Sequence, residues 1–238
     1  MKRINYGLIA LLLVSIALNV KYEISTRAIT NRIMPLTGTN IDDIAGIPIM
    51  QECTEQSWMN CIMKLGIQSD VVFYGDSHTR WSDFRQYFPN VSICNLGLSG
   101  DNMNGFIRRV EMIQKVLPKK IFFMGGVNDI STLSLEEYRH KYDTLFRTLS
   151  DSLPEAKLYV QSLLPLNPCV YKKYSDNNKV KKVNAIQKEL AAKYGLTYID
   201  LYYIYAKDDI LPMESSSDGV HLKDYKKWAE AIRQYVYE

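Results

Sequence analysis

Ser77, Gly100, Asn128, Asp218 and His221 are residue types that together can cleave an ester. Each stands in a short turn-forming string: Gly75-Asp76-Ser77-His78-Thr79, Asn95-Leu96-Gly97-Leu98-Ser99-Gly100, Gly125-Gly126-Val127-Asn128-Asp129 and Asp218-Gly219-Val220-His221. A serine hydroxyl attacks a carbonyl only when a base takes its proton. The chain has three histidines, His78, His140 and His221. His140 falls in Ser134–Ser152, a helix-like stretch opened by the capping-box pattern Ser134-x-x-Glu137, and reads as a solvated helix position. His78 adjoins Ser77; adjacent side chains usually diverge, so it is a poor base for that serine and reads as a residue lining the site. His221 remains. Asp218 precedes it by three positions, close enough for its carboxylate to hold one ring nitrogen and leave the other facing Ser77.

Ester cleavage passes through an oxyanion, which needs donors held in place beforehand. Gly100 lets a backbone N–H approach a ligand closely. The Asn128 amide is a neutral donor of the right type, and the backbone N–H of Ser77 completes the expected oxyanion hole. Each of these residues also has a plain structural reading when taken alone. Ser77 can cap a helix; Gly100, Asn128 and Asp218 can form turns; Asp129 is taken as a turn or cap residue. The functional reading rests on the strings occurring together and in order.

The elements that must position them follow from apolar runs and their punctuation. Val71–Tyr74, Val91–Leu96, Ile121–Met124, Leu158–Leu163 and Thr197–Asp200 read as strands. Thr79–Tyr87, Asn102–Val116, Ser134–Ser152, Asn177–Tyr194 and Lys223–Tyr237 read as helices. Such alternation predicts an α/β fold: a three-layer α/β/α sandwich with a five-stranded parallel sheet of the flavodoxin-like kind. Sheets of this kind bind ligands beyond the carboxyl ends of their strands. Ser77, Gly100 and Asn128 each follow a strand, so the topology carries them to that edge. Two loops flank it, Leu164–Asp176 with Tyr171 and Tyr174, and Tyr202–Ser217 with Tyr203, Tyr205 and Met213. Ordinary half-buried loop packing explains tyrosines there more readily than stacking on a sugar ring does.

The four strings in this order resemble the SGNH hydrolase superfamily, also called GDSL esterases and lipases. The resemblance runs from about Ser69 to the C-terminus. It implies Ser77, Gly100, Asn128 and His221 as the four family residues, Asp218 as third member of a triad, and an acyl-enzyme mechanism needing neither metal nor cofactor. His78 departs from the family pattern, which often has Leu or Ile there. That position is not one of the catalytic ones, so the departure bears on substrate fit more than on chemistry.

Composition sets the outer bounds. A chain of 238 residues suits one ordinary domain with an extension, and 47% hydrophobic with 23% charged residues is globular. A net charge of +3 with dispersed lysines gives no footprint for nucleic acid. Behind Met1-Lys2-Arg3, the run Ile4–Val20 is nearly all apolar and close to the shortest length that spans a bilayer. It reads as a signal peptide or an uncleaved transmembrane anchor. The best small-x-small pair, Ser15-x-Ala17, lies inside the run, which favours the anchor. The expected organisation is a membrane segment at 1–22, a stalk and wrapping segment at 23–65 and the hydrolase domain at 66–238. The catalytic domain is then extracytoplasmic. Cys53, Cys61, Cys94 and Cys169 lack zinc spacing; export would allow a Cys53–Cys61 disulfide, and free thiols fit as well. The expected partners are a membrane and a small-molecule or glycan ester, with oligomeric state left open. Acetate on a carbohydrate is the leading substrate reading. A lysophospholipid or other lipid ester, and acyl transfer to a sugar hydroxyl, fit the same residues, while a non-catalytic binding module fits them less well.

Overall fold

Val71–Gly75 is buried at every position, as a strand covered on both faces must be. The computed structural model describes residues 66–171 and 176–238. In chain order the elements are β1 (Val71–Gly75), α1 (Ser77–Trp81), β2 (Ile93–Gly97), α2 (Met103–Arg108), α3 (Val110–Val116), β3 (Lys120–Met124), α4 (Leu135–Ser152), β4 (Lys157–Gln161), α5 (Asn177–Lys193), β5 (Thr197–Ile199), α6 (Tyr202–Tyr205) and α7 (Lys226–Tyr237). Short 3₁₀ turns occupy Phe84–Gln86 and Val127–Asp129. All strand pairs are parallel, in the order β2-β1-β3-β4-β5. The five-stranded parallel sheet expected from the sequence is therefore present, and its strand order reverses at β1. Such a reversal leaves a crevice beyond the strand ends between β1 and β3.

The period of two along each strand sorts side chains to opposite faces. Val72, Tyr74, Ile121, Phe123, Leu158 and Val160 join one core with residues of α2 to α5. Val71, Phe73, Phe122, Met124 and Tyr159 join the other with Phe84, Phe88 and the α7 residues Trp228, Ala229, Ile232 and Val236. Three layers result. On the second face Phe84, Phe73, Phe122 and Tyr159 form a pile of rings with successive centroids 4.0, 5.1 and 4.5 Å apart. Aromatic contacts of this kind add about 0.5–1.5 kcal/mol each beyond the area they bury.

Several boundaries differ from the sequence reading. The helix expected over Thr79–Tyr87 is only Ser77–Trp81, followed by the 3₁₀ turn. The Asn95 amide explains the early end. It donates to the carbonyls of Thr79 and Ser82 at 2.8 and 2.9 Å, taking the helix's last acceptors. Ser77 accordingly lies inside α1, and Asp76, not Ser77, caps it. The helix expected over Asn102–Val116 is broken at Arg109 (φ −88°, ψ 4°), whose side chain is drawn into the core. α7 begins at Lys226 rather than Lys223, because Lys223 N–H is engaged by the Ser215 carbonyl at 2.8 Å.

The apolar run Ile4–Val20, the 23–65 segment, Cys53, Cys61 and Tyr174 lie outside the described residues. Among the described residues no helix is long and apolar enough to cross a membrane. Cys94 is a buried thiol and Cys169 an exposed one.

Candidate functional site

Three strand ends deliver three of the expected groups to one edge. β1 ends at Gly75 and β2 at Gly97, paired in register, while Met124 of β3 pairs with Gly75 on its other side. At Gly97 the chain passes so close to α1 that a Cβ would lie 2.2 Å from the Arg80 nitrogen, so only glycine lets the two loops meet. Gly100 then turns at φ +79°, a left-handed conformation that favours glycine, with open space where a side chain would stand.

Ser77 is 6% exposed. Its Oγ lies 2.9 Å from His221 Nε2. The opposite ring nitrogen, Nδ1, lies 2.7 Å from Asp218 Oδ2. A continuous line carboxylate–imidazole–hydroxyl results. Asp218 also does what its turn-former reading expects, because its other oxygen accepts from the backbone N–H groups of Val220 and His221 at 3.0 and 2.8 Å. Asp218 therefore forms the turn and holds the His221 ring at once. Burial works against its ionised form, but the ring and amide bonds from His221 and Val220 outweigh it and hold the carboxyl well below the usual range. His221 is shifted down: burial is the main cause, followed by the charge on His78, and together they exceed the upward pull of Asp218. A neutral imidazole is the form that can accept the serine proton.

Asn128 is exposed on the 3₁₀ turn after β3. One N–H of its amide donates to the Asp101 carbonyl at 2.7 Å. An amide nitrogen carries two donors, so this bond orients the group and leaves the second for a ligand. The glycines before it are held by two tyrosines one turn apart on α4, with Tyr138 Oη donating to the Gly126 carbonyl and Tyr142 Oη to Gly125, both at 2.7 Å. Asp129 accepts from Met103 N–H at 2.8 Å in the first turn of α2, whose N-cap is Asn102. It thereby ties the third string to the second.

His140 is exposed on α4 and takes no part. His78 corrects the expectation that it merely lines the site. It is 2% exposed, and its ring lies 5.5 Å from that of His221, centroid to centroid. The loop after β4, which flanks the strand ends, braces the His221 loop: Asn167 N–H donates to the Gly219 carbonyl, and its side-chain amide to Leu211, both at 2.8 Å. Of the loop tyrosines, Tyr205 is buried and accepts from Trp228 N–H at 3.1 Å, whereas Tyr203 is exposed. Sequence reasoning missed Trp81. Its ring lies 3.9 Å from the His221 ring and is 45% exposed. Only its place one turn beyond Ser77 on α1 signals this. Among the described residues no cluster of three His, Cys, Asp or Glu side chains is arranged to hold a metal ion.

The model of the GDSL-like lipase/acylhydrolase family matches residues 66–225. The chain belongs to this family. It is therefore a hydrolase of the SGNH type, as the resemblance implied, and the family match spans all four strings. No curated protein matches it. Solved structures share the fold of this GDSL-like hydrolase at low identity. A protein from Streptococcus pneumonia, whose description names platelet activating factor, is 20% identical with a TM-score of 0.72, over 84% of this chain and 100% of that one. A GDSL-like lipase from Bacteroides thetaiotaomicron is 19% identical with a TM-score of 0.62, over 73% and 89% of the two chains. A mutant of an acetyl-xylooligosaccharide esterase from Geobacillus Stearmophilus is 16% identical with a TM-score of 0.58, over 73% and 96%.

Proposed function

We propose that this GDSL-like hydrolase is a serine esterase that works through an acyl-enzyme on Ser77. The observation that carries the reading is the hydrogen-bonded line from Asp218 through His221 to Ser77 Oγ. In the first half-reaction, Ser77 Oγ bonds to the ester carbonyl carbon while His221 Nε2 takes the hydroxyl proton. The carbonyl oxygen becomes an oxyanion, received by the backbone N–H groups of Ser77 and Gly100 and by the second N–H of Asn128. Collapse breaks the carbon–oxygen bond of the ester, and His221 returns the proton to the departing alcohol. Water repeats the cycle, giving its proton to His221, forming the acid and freeing Ser77. Asp218 keeps the tautomer with hydrogen on Nδ1 and steadies the transient imidazolium.

The proposed substrate is a small acyl ester, acetate above all, on a carbohydrate. Trp81 supports this: a flat, exposed indole against the base suits the C–H face of a sugar ring. The fold it shares with an acetyl-xylooligosaccharide esterase is consistent with the same reading. We place the catalytic domain outside the cytoplasm, held by the Ile4–Val20 run, where it would meet envelope or extracellular polymers. Fractionation with N-terminal sequencing checks the placement: an intact N-terminus in the membrane fraction is expected, and one in the cytosolic fraction would overturn it.

The substrate test is a screen of the purified chain against acetylated sugars, lysophospholipids and p-nitrophenyl esters of several lengths. Preference for acetylated sugars and for the shortest acyl chain is expected. Turnover of lysophospholipids alone would replace the glycan reading with a lipid one, and acyl transfer to added sugar at the expense of free acetate would make the protein a transferase. Asn128→Ala should lower kcat by about 10²–10³, with KM changing much less, because its donor is strongest towards the oxyanion. A loss confined to KM would remove Asn128 from the oxyanion hole.

A further inference from the structure

We infer that His78 is a positioning residue held as an imidazolium, which grips the peptide bond leading into His221 and sets a fixed positive charge beside the His221 ring. The inference rests on the reading above, in which His221 is the base.

The geometry begins with the two ring nitrogens of His78. Nδ1 faces Asp76 Oδ1 at 3.3 Å and Nε2 faces the Val220 carbonyl at 2.9 Å. An ionised carboxylate and a carbonyl offer only lone pairs, whereas a neutral imidazole carries one N–H. In either neutral tautomer, one of these contacts would set lone pair against lone pair inside the protein. With Asp76 ionised, only the doubly protonated ring satisfies both. Asp76 is fully buried beside it and also accepts the His78 backbone N–H at 3.0 Å. A buried carboxylate of this kind requires a charge or several donors near it.

The Val220 carbonyl and the His221 N–H belong to one peptide unit. Its oxygen is held by His78, and its N–H by Asp218 Oδ1 at 2.8 Å. A peptide unit is planar and rigid, so gripping both ends fixes the direction in which the His221 side chain leaves the backbone. Asp218 and His78 thus act on opposite edges of one plane, and the imidazole is aimed at Ser77 by both.

The charge has its own effect. Around His78 stand Asp76 on its own turn, and Asp218 and His221 on the loop before α7. Asp129, after β3, also senses Asp76. Tyr142 on α4 and Tyr225 before α7 face the same carboxylate, and burial pushes both phenols up so that they stay neutral. Burial works against a charged His78, but the hydrogen bond and charge of Asp76, the Val220 carbonyl and the charge of Asp218 outweigh it and raise its pKa. A cation there disfavours a second one on His221. His221 therefore stays neutral, and able to accept a proton, to lower pH than an ordinary histidine.

Two substitutions separate the grip from the charge. His78→Gln keeps a side-chain N–H for the Val220 carbonyl and loses the charge; His78→Leu loses both. For His78→Leu, kcat should fall about 10- to 100-fold, as small misplacements of a reacting group do, with KM little changed. For His78→Gln most of kcat should return at pH 8. In both variants the acidic limb of kcat/KM should move to higher pH, giving about a further tenfold loss at pH 5.5 relative to pH 8. Nitrogen-15 spectra of the ring in the full chain provide a readout independent of activity and of any variant's folding. With only three histidines to assign, His78 should show both nitrogens protonated at pH 7. A neutral His78 tautomer at that pH, or His78→Leu with unchanged kcat and acidic limb, overturns the inference. Failure of His221 as the base would appear differently, as full activity in His221→Ala.

Discussion

Replacing Ser77 by alanine is expected to lower kcat by about 10⁴- to 10⁶-fold, the range seen when a triad nucleophile is removed. The expectation follows from where the hydroxyl sits. Ser77 Oγ stands at the end of the line Asp218–His221–Ser77 as the group placed to bond to carbon, and His221 Nε2 at 2.9 Å is placed to take its proton. Removing Oγ leaves the oxyanion donors and the base in place with nothing to join to the acyl group. His221→Ala should fall nearly as far, and the double variant no further, because residues that act as one unit are not additive. His140→Ala, on the exposed side of α4, should be almost silent. A fluorophosphonate reagent should label Ser77 and no other serine. Full activity in Ser77→Ala, or a large loss at His140 with His221→Ala tolerated, would sink the assignment.

The sequence revealed the groups but not the network that holds them. Ser77, Gly100 and Asn128 were legible because each follows an apolar strand, and a parallel sheet carries every strand end to one edge. Asp218 and His221 were legible as a local pair, three residues apart. The braces were not legible, because each joins residues far apart in the chain with no shared pattern. Tyr138 and Tyr142 look like ordinary apolar positions of an amphipathic helix, yet their hydroxyls hold the carbonyls of Gly126 and Gly125. Asn95 reads as a strand residue, but its amide ends α1 and so sets where Trp81 stands. His78 was legible as a poor base, because the neighbouring side chains do diverge: Ser77 turns to His221, and His78 to Asp76 and the Val220 carbonyl. Its burial and its bond to the His221 loop were not legible, since that partner is 142 positions away.

Arg109→Met should cost about 3–5 kcal/mol of stability, the usual loss when one partner of a buried ion pair is removed. Arg109 is 2% exposed and Asp101 fully buried, and Nε meets Asp101 Oδ2 at 2.9 Å. The guanidinium also donates to the Leu96 carbonyl at 3.0 Å and the Gly75 carbonyl at 3.4 Å, and stacks over the Tyr74 ring at 4.8 Å. Methionine nearly fills the space but supplies none of the donors, so the Asp101 charge loses its counter-charge inside the protein. Urea unfolding should show the loss, and the melting temperature should drop by about 6–20 °C for a domain of this size. Arg109→Met with Asp101→Asn should recover part of it, because the buried charge is then gone. A single-variant change within about 1 kcal/mol would mean that the pair contributes little beyond what packing supplies. Stability is only half of the expected effect. Gly75 lies two residues before Ser77, and the Asp101 carbonyl orients Asn128. Kinetics on the fraction still folded at low temperature should therefore show kcat reduced with KM nearly unchanged. Loosening Arg109 would shift Ser77 and Asn128, the proposed nucleophile and oxyanion donor, relative to each other while leaving the exposed Trp81 in place.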